Sequence, residues 1–509
     1  MNGLPAALRR RQRAAAPGFL VLALALPASA LAQQGSSRDL LPTFDTELTY
    51  IDVERAGLGR SQSELTTQLR PGFRYTSRTG RLQGAVSYGL GLTYRSRTDP
   101  SFDASNQLTA ALTGQLVENL AFVDVSASIA KQSLSAFGQQ SVAEQPTENP
   151  NQEEVGNLSI TPSLRGNLAG LALVDLRLNA TAANTRKSIE GDSLSTGGTL
   201  TLSSTNPNAI IGWGLSASTI TTDYRTRGDA KNDRATASVE IRPDVDVSLS
   251  VRAGRETTDI GLSQSESFSN WGASLRWQPS PRTLASFNTD RRFFGRSHSI
   301  NLSYRLPLSS LRFGSVRDVT LSANPGALGQ PLTLYDLFFE QFASQEPDPA
   351  LRQQLVLDFL AGLGLDPQAS IAGGAINRGP TVQERNDIGF TYSAKRLTLS
   401  GQAFASRTQQ LLEAGLPAPS DANPRQRGYT GTVAYRLTPT ATFSLLGSRL
   451  MTKPTANQTG TDLKSLGLTL SERLGRLATA AINARYSVFN SATNPYRETA
   501  VSASLGLRF

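Results

Sequence analysis

The chain closes on Val501-Ser502-Ala503-Ser504-Leu505-Gly506-Leu507-Arg508-Phe509, and the alternation in that stretch decides the fold. Successive side chains of a β-strand point to opposite faces. Val501, Ala503, Leu505, Leu507 and Phe509 therefore share an apolar face, and Ser502, Ser504, Gly506 and Arg508 share a wet one. The same period-2 pattern runs back through the chain: Ala480, Ile482, Ala484, Tyr486 and Val488 alternate with Asn483, Arg485 and Ser487, and Val174, Leu176 and Leu178 with Asp175, Arg177 and Asn179. Near the start, Leu82, Val86, Tyr88, Leu90, Leu92 and Tyr94 alternate with Gln83, Ser87, Thr93 and Arg95. A soluble β-sandwich also alternates, but its strands usually hold about 5 or 6 residues, whereas a tilted membrane-crossing strand needs about 9 to 11. The runs here are of the longer kind.

Composition narrows the choice further. Among 509 residues, 39% are hydrophobic, there is no cysteine, and His298 is the only histidine, so disulfide frameworks, thiol nucleophiles and multi-histidine metal centres are excluded. A mean hydropathy of -0.25 with one long apolar run excludes a bundle of membrane-spanning helices. That apolar run, Phe19 to Leu26, follows Arg9, Arg10, Arg11 and Arg13 and precedes Ala30-Leu31-Ala32, the order of a secretory signal with cleavage after Ala32. Losing those four arginines lowers the formal net charge from +9 to +5, too little and too dispersed to suggest nucleic acid as a partner.

The expected fold is all-β: a single closed antiparallel transmembrane β-barrel of about 22 strands over 43–509, preceded by a short periplasmic segment 33–42 and interrupted by a helical insertion at 324–383. Short turns (Thr79-Gly80, Asn119, Gly170, Pro279 to Pro281, Lys395-Arg396, Leu474-Gly475) alternate with longer polar loops (134–155, 258–268, 410–425, 490–497). One connection departs from this order, a tight hairpin at Arg291 to Arg296 on the long-loop side. An even strand count puts both mature termini on the short-turn side, the periplasm of a Gram-negative outer membrane. Tyr50, Tyr75, Tyr94, Trp277, Tyr304, Tyr392, Tyr435 and Tyr486 fall at strand ends, as interfacial girdles require. Val501, Ala503, Leu505, Leu507 and Phe509 are similar to the signal by which the barrel-assembly machinery takes up a last strand, with outer-membrane lipid around the finished barrel.

Within 324–383 the period is helical. Thr333 with Asp336 has the spacing of a capping box ahead of Leu334, Leu337, Phe338 and Phe342. Asp348 with Pro349 opens a second helix carrying Leu351, Leu355, Phe359 and Leu360, which ends near Gly362 and Gly364. The pair has two places to bury its apolar face: over the outer rim, or inside the lumen as a plug.

Trp277-Gln278-Pro279-Ser280-Pro281-Arg282-Thr283, then Asp290-Arg291-Arg292-Phe293-Phe294-Gly295, then Leu302-Ser303-Tyr304-Arg305 resemble the core of the PEP-CTERM system-associated outer-membrane protein family. Leu334 to Phe339 and Leu363 to Pro367 resemble its mid-chain insertion. The resemblance implies an outer-membrane barrel in bacteria with exosortase and exopolysaccharide systems, and does not indicate a substrate; the residues themselves suggest no cofactor.

Arg70, Arg74, Arg95, Arg177, Arg252, Arg276, Arg305, Arg485 and Arg508 lie on the polar faces of their strands. Two readings stand: a lumen that favours anionic solutes or an acidic exopolysaccharide, or arginines that pair with lumen acids to hold the barrel together. A third role, display of matrix or envelope partners, rests on the polar loop 134–155 with Gln139, Gln140, Glu144, Asn149 and Asn151, and on the apolar helices of the insertion. An outer-membrane hydrolase would need His298 as its base, and neither Ser297 nor Ser299, on the opposite strand face, is placed to serve it, although a serine from another strand could be. No metal or catalytic residue is assigned, and the oligomeric state is left open.

Overall fold

Twenty-two strands pair in one antiparallel sheet that closes on itself, β1 (Ser37–Arg55) meeting β22 (Tyr496–Arg508) from Thr43 opposite Arg508 to Arg55 opposite Tyr496. The computed structural model describes residues 37–509 apart from 56–60, 97–99, 143–148, 190, 207–208, 227, 261–264, 322–333, 344–345, 347–348, 363–374, 377 and 412–420. The signal segment 1–32, Thr333, Asp348, Glu144 and the stretch 363–367 lie outside those residues.

Closure has a direct physical cause. An unpaired edge would leave a row of N–H and C=O groups in hydrocarbon, and only a closed sheet or a helix pairs them all. Strand lengths run from 10 residues in β13 (Thr283–Arg292) to 19 in β1, so most strands outrun the bilayer. The outward face is apolar and open to the surroundings: Leu302, Ile388, Phe390, Leu466, Ile482 and Val501 are all exposed. Tyr50, Tyr94, Trp277, Tyr304, Tyr435 and Tyr486 are exposed on that face, and so are Trp213, Trp271 and Tyr429, which the strand-end pattern does not pick out.

The alternation of connections follows the sequence order. At the short-turn end, Asn119 (φ 56), Gly170 (φ +79) and Gly475 (φ +79) take left-handed backbone, the conformation that glycine and asparagine adopt at least cost. Gly295 (φ +107) does the same in the tight hairpin at the opposite end. Several expected boundaries shift: 152–155 of the expected loop 134–155 is strand, Pro279 of the expected turn is strand, and two further shifts bear on the wall and the insertion. β1 starts at Ser37 rather than 43, so 37–42 is barrel wall paired to Phe73 through Arg78 rather than a free periplasmic segment. Leu40-Leu41-Pro42 breaks the alternation, which hides this strand end. Proline is tolerated there because β22 pairs with β1 only from Thr43 onward, and the Pro42 carbonyl still accepts the Phe509 N–H at 3.0 Å. At the insertion, β15 (Ser309–Thr320) ends and β16 (Thr381–Ser393) begins so that the connection spans 321–380.

The two helices form: α1 (Leu334–Phe342) and α2 (Pro349–Gly362). Leu334, Phe338, Phe342, Val356 and Leu360 make one buried cluster, with the Phe359 ring 5.2 Å from Phe338 and 5.0 Å from Phe342. Leu355, expected on the buried side of α2, is exposed; Val356, one position on, faces α1 instead.

Candidate functional site

The inward face is set by register. Thr49, Thr66, Ser487, Glu498 and Ser502 share one face of their strands, opposite the exposed Tyr50, Leu65, Tyr486 and Val501, so that face is the lumen wall. On the same criterion Arg70 stands opposite Asp45, Arg74 opposite Leu41 and Arg95 opposite Thr66 on the inward side, and Arg508 lies two steps from Gly506 on β22. Arg177, Arg252, Arg276, Arg305 and Arg485 take inward positions on β7 (Ala172–Thr185), β11 (Val247–Ile260), β12 (Glu266–Ser280), β14 (Gly295–Arg305) and β21 (Ala478–Asn490).

Their partners differ. Arg177 ion-pairs Asp175 at 2.9 Å, Arg252 reaches Asp290 at 2.6 Å, and Arg485 reaches Glu498 at 2.8 Å. Arg276 donates to the Gln278 side-chain Oε1 at 3.0 Å and Arg305 to the Pro281 backbone carbonyl, contacts that leave the cationic charge in place. At the short-turn end of β6 (Gln152–Leu168) and β7, Arg165 joins Asp175 at 3.4 Å, and the two arginines flanking one carboxylate line a 900 Å³ recess with Thr199 and Thr201.

The long-loop end of the lumen carries a packed apolar cluster and is crossed by chain, which the polar inward pattern does not foretell. Ile51, Val53, Leu450, Leu463, Phe489 and Tyr496 all point inward and pack together, with Val142 of the loop after β5 (Ala121–Ser133) seated on them. That loop leaves β5 and spans to the far wall: Tyr496 donates to the Gln140 carbonyl at 2.8 Å, and Thr452 of β19 (Ala441–Thr452) to the Ala136 carbonyl at 2.9 Å. From the other side, the segment leading into β16 reaches the end of β5. The Ile376 N–H donates to the Ser133 carbonyl at 3.0 Å, while Arg378 donates to Leu134 O at 3.2 Å and ion-pairs Asp421 at 3.3 Å. A third crossing joins Tyr224, at the end of β9 (Ile211–Tyr224), to the carbonyl of Leu321 just past β15.

The polar loop expected to display partners is therefore turned inward. Gln140 donates to the carbonyls of Ser135, Ala136 and Gly138, and Asn151 to those of Ser135 and Gln139, so these side chains fold the loop onto itself. Asn149 does likewise toward Gln139 and Ser141. Amides that read as solvated in sequence are consumed by the loop's own backbone carbonyls.

Helix α1 lies against the inward side of β15 and β16. Leu337 occupies the space over Gly389, where any larger residue would collide with it, and Gln341 donates to the Leu308 carbonyl, in the short turn before β15, at 3.2 Å. Of the two placements open from sequence, the rim and the lumen, α1 takes the lumen, and it descends to the short-turn end. Leu308 is the contact that decides this, because it sits at the end of the barrel opposite the insertion's own anchor points.

The motif around 277–305 divides between the two faces. Trp277 and Tyr304 are outward and exposed, and Pro279 lies in the last residues of β12 before the turn to β13. Arg291 and Arg296 face outward across from each other. Arg292 points inward, nearly buried, with Glu256 and Asp318 each at 2.6 Å and Phe294 under its guanidinium at 5.4 Å. Phe293 meets Phe294 edge-on at 5.3 Å, and Gly295 closes the hairpin. The hairpin is tight because its side chains are part of the packing at the mouth.

His298 points outward. Its Nε2 is 3.0 Å from Ser315 Oγ, which lies 2.7 Å from Asn386 Oδ1. A serine from another strand thus meets the histidine, as the sequence allowed. Asn386 meets the serine, not the histidine.

A closed 22-stranded membrane-spanning barrel with a helix inside and loops across one mouth is the class that this fold defines. No family model matches the chain, and no curated protein matches it. Among solved structures, the FrpB iron transporter from Neisseria meningitidis in its apoprotein form aligns with 92% of this chain and 81% of its own at 11% identity and a TM-score of 0.49. OccK5 (OpdH) from Pseudomonas aeruginosa aligns over 92% and 98% at 12% identity and a TM-score of 0.29, and OccAB3 from Acinetobacter baumannii over 92% and 100% at 8% and 0.34.

Proposed function

We propose that this protein is an outer-membrane barrel that serves as a passive, gated conduit for anionic solutes or an acidic polymer, working with the PEP-CTERM and exopolysaccharide machinery with which the family its sequence resembles is associated. The observation that carries the reading is the asymmetry of the lumen. Its short-turn half presents Arg165, Arg177, Arg276 and Arg305 in positions where an anion can meet them, while its long-loop half is crossed by 134–142 and by the segment carrying Ile376 and Arg378. Arginine on a low-dielectric wall raises the local concentration of anions. The crossing segments hold to the wall by a few hydrogen bonds, one ion pair and the packing of Val142 and Ile376, contacts that reverse without breaking the pairing of the sheet.

In this reading the short-turn end faces the periplasm with both mature termini, lipid surrounds the apolar belt, and the β22 face bearing Val501, Ala503, Leu505, Leu507 and Phe509 is what the assembly machinery takes up. A conduit of this kind has no chemical step. The arginines attract and hold anions, the crossing loops close the path, and α1 with α2 reduces its width.

The test is planar-bilayer conductance of the refolded mature chain beside a variant with 326–380 replaced by a short Gly-Ser linker, with the reversal potential read in a KCl gradient. A closed wild type and a conducting, anion-selective variant are expected. Equal conductance in the two proteins, or cation selectivity in the variant, rejects the gated anionic conduit.

A further inference from the structure

On the outward side of the barrel, at the long-loop end of the apolar belt, register sets His298, Arg317, Glu384, Arg407 and Arg425 in one row, each directly opposite the next across β14 to β18 (Arg425–Arg436). Arg291 and Arg296 stand opposite each other at the same end of β13 and β14. Glu384, flanked by Arg317 and Arg407, is the row's single acid, and among the described residues these five arginines have no ion pair. Two directly opposed like-charged pairs, Arg291 with Arg296 and Arg407 with Arg425, are unfavourable in a sheet unless something anionic lies between them.

The surroundings say what kind of anion. The row faces neither the lumen nor the loop tips but the membrane side, with Ile300, Phe313 and Ile388 a step or two toward the belt and the exposed Trp271 opposite Arg291. Above β17 (Leu397–Gln410) and β18, a 550 Å³ recess is lined by Arg407, Arg425 and Lys453 with Asn423, Thr455 and Asn457. Guanidinium forks match phosphate oxygens two at a time, and the edge of the apolar belt is the depth of lipid headgroups.

We propose that this outward row is a binding site for phosphate-bearing glycolipid of the leaflet at the long-loop end, with headgroup phosphates between the opposed arginines and in the recess, and acyl chains along Ile300, Phe313 and Ile388. The site rests on the membrane-spanning fold and is independent of any conduction through the lumen.

The experiment uses the refolded mature chain in neutral detergent, with retained lipid counted by native mass spectrometry after addition of bisphosphorylated lipid A, its dephosphorylated form, or phosphatidylcholine. Wild type should retain the bisphosphorylated lipid, R407Q/R425Q and R291Q/R296Q should each bind it at least about tenfold more weakly, and a charge-matched control, K131Q/R255Q, should bind as wild type. The two row variants should also keep or raise the unfolding midpoint in lipid-free detergent, since each removes a like-charge pair. Undiminished binding by both row variants, equal loss in the control, or equal retention of phosphatidylcholine overturns the site. A lowered midpoint of the row variants in detergent makes the arginines structural and also overturns it. Displacement by inorganic phosphate at a concentration matched to the lipid overturns the lipid reading in favour of a soluble-anion site.

Discussion

Glu256 has no exposed surface, and its charge is met by Arg292 at 2.6 Å, which in turn reaches Asp318 at 2.6 Å. Deleting the cation while leaving the buried carboxylates is the costly way to break such a cluster, by about 3–5 kcal/mol, because the remaining charges lose their partner without regaining water. R292A should therefore lower the unfolding midpoint of the refolded barrel in urea, followed by tryptophan fluorescence, and R292M/E256L should restore most of the loss. Equal stability of R292A and wild type would mean that the mouth admits water to Glu256. At the same scale, Y496F and T452V remove the hydroxyls that hold the Gln140 and Ala136 carbonyls. Each bond contributes about 0.5–1.5 kcal/mol, so the double variant should show more frequent openings in single-channel recordings, with no change in the strand content seen by circular dichroism.

Helix α1 is held by a shape match rather than by charge. Leu337 lies where a side chain on Gly389 would have to be, and β16 has Asp387 and Thr391 on either side of that glycine along the inward face. G389L should push the helix off the wall without touching strand pairing. The expected outcome is faster tryptic cleavage at Arg352 and a larger conductance than wild type; unaltered proteolysis would show that α1 keeps its place by other contacts. The sequence made both helices legible through their 3.6-residue spacing, but amphipathicity states only that a face is buried, not against what. Leu355 shows the limit at a single position: it fits the spacing, yet Val356 takes the contact with α1, because the crossing of two short helices selects which residue of a pair turns in.

At the scale of the whole molecule, closure is the property that makes the rest possible, and it rests on β1 meeting β22. Thr49 and Ser502 are opposite each other there, and opposed Cα atoms in antiparallel strands lie about 4.5–5.5 Å apart, within disulfide reach. In this cysteine-free chain, T49C/S502C should form an intramolecular cross-link in high yield, seen as a mobility shift under non-reducing electrophoresis. Failure to cross-link under oxidation would leave the barrel open at this seam.

The sequence by itself determined the strand number, the order of short and long connections, the outward belt and the presence of two helices, because each is a local consequence of side-chain period and turn chemistry. It did not determine that 37–42 is wall, since Leu40-Leu41-Pro42 carries no alternation and only the partner strand holds it in place. Nor did it determine what fills the lumen. Ile51, Val53 and Phe489 break the otherwise polar pattern of the inward face and read as exceptions until the loop carrying Val142 is brought over from β5. Gln140, Asn149 and Asn151 read as solvated for the same reason. Which loop crosses which mouth and where α1 lies depend on contacts between separate elements, as far apart in the chain as Tyr496 and Gln140, and such contacts exist only once the sheet has closed.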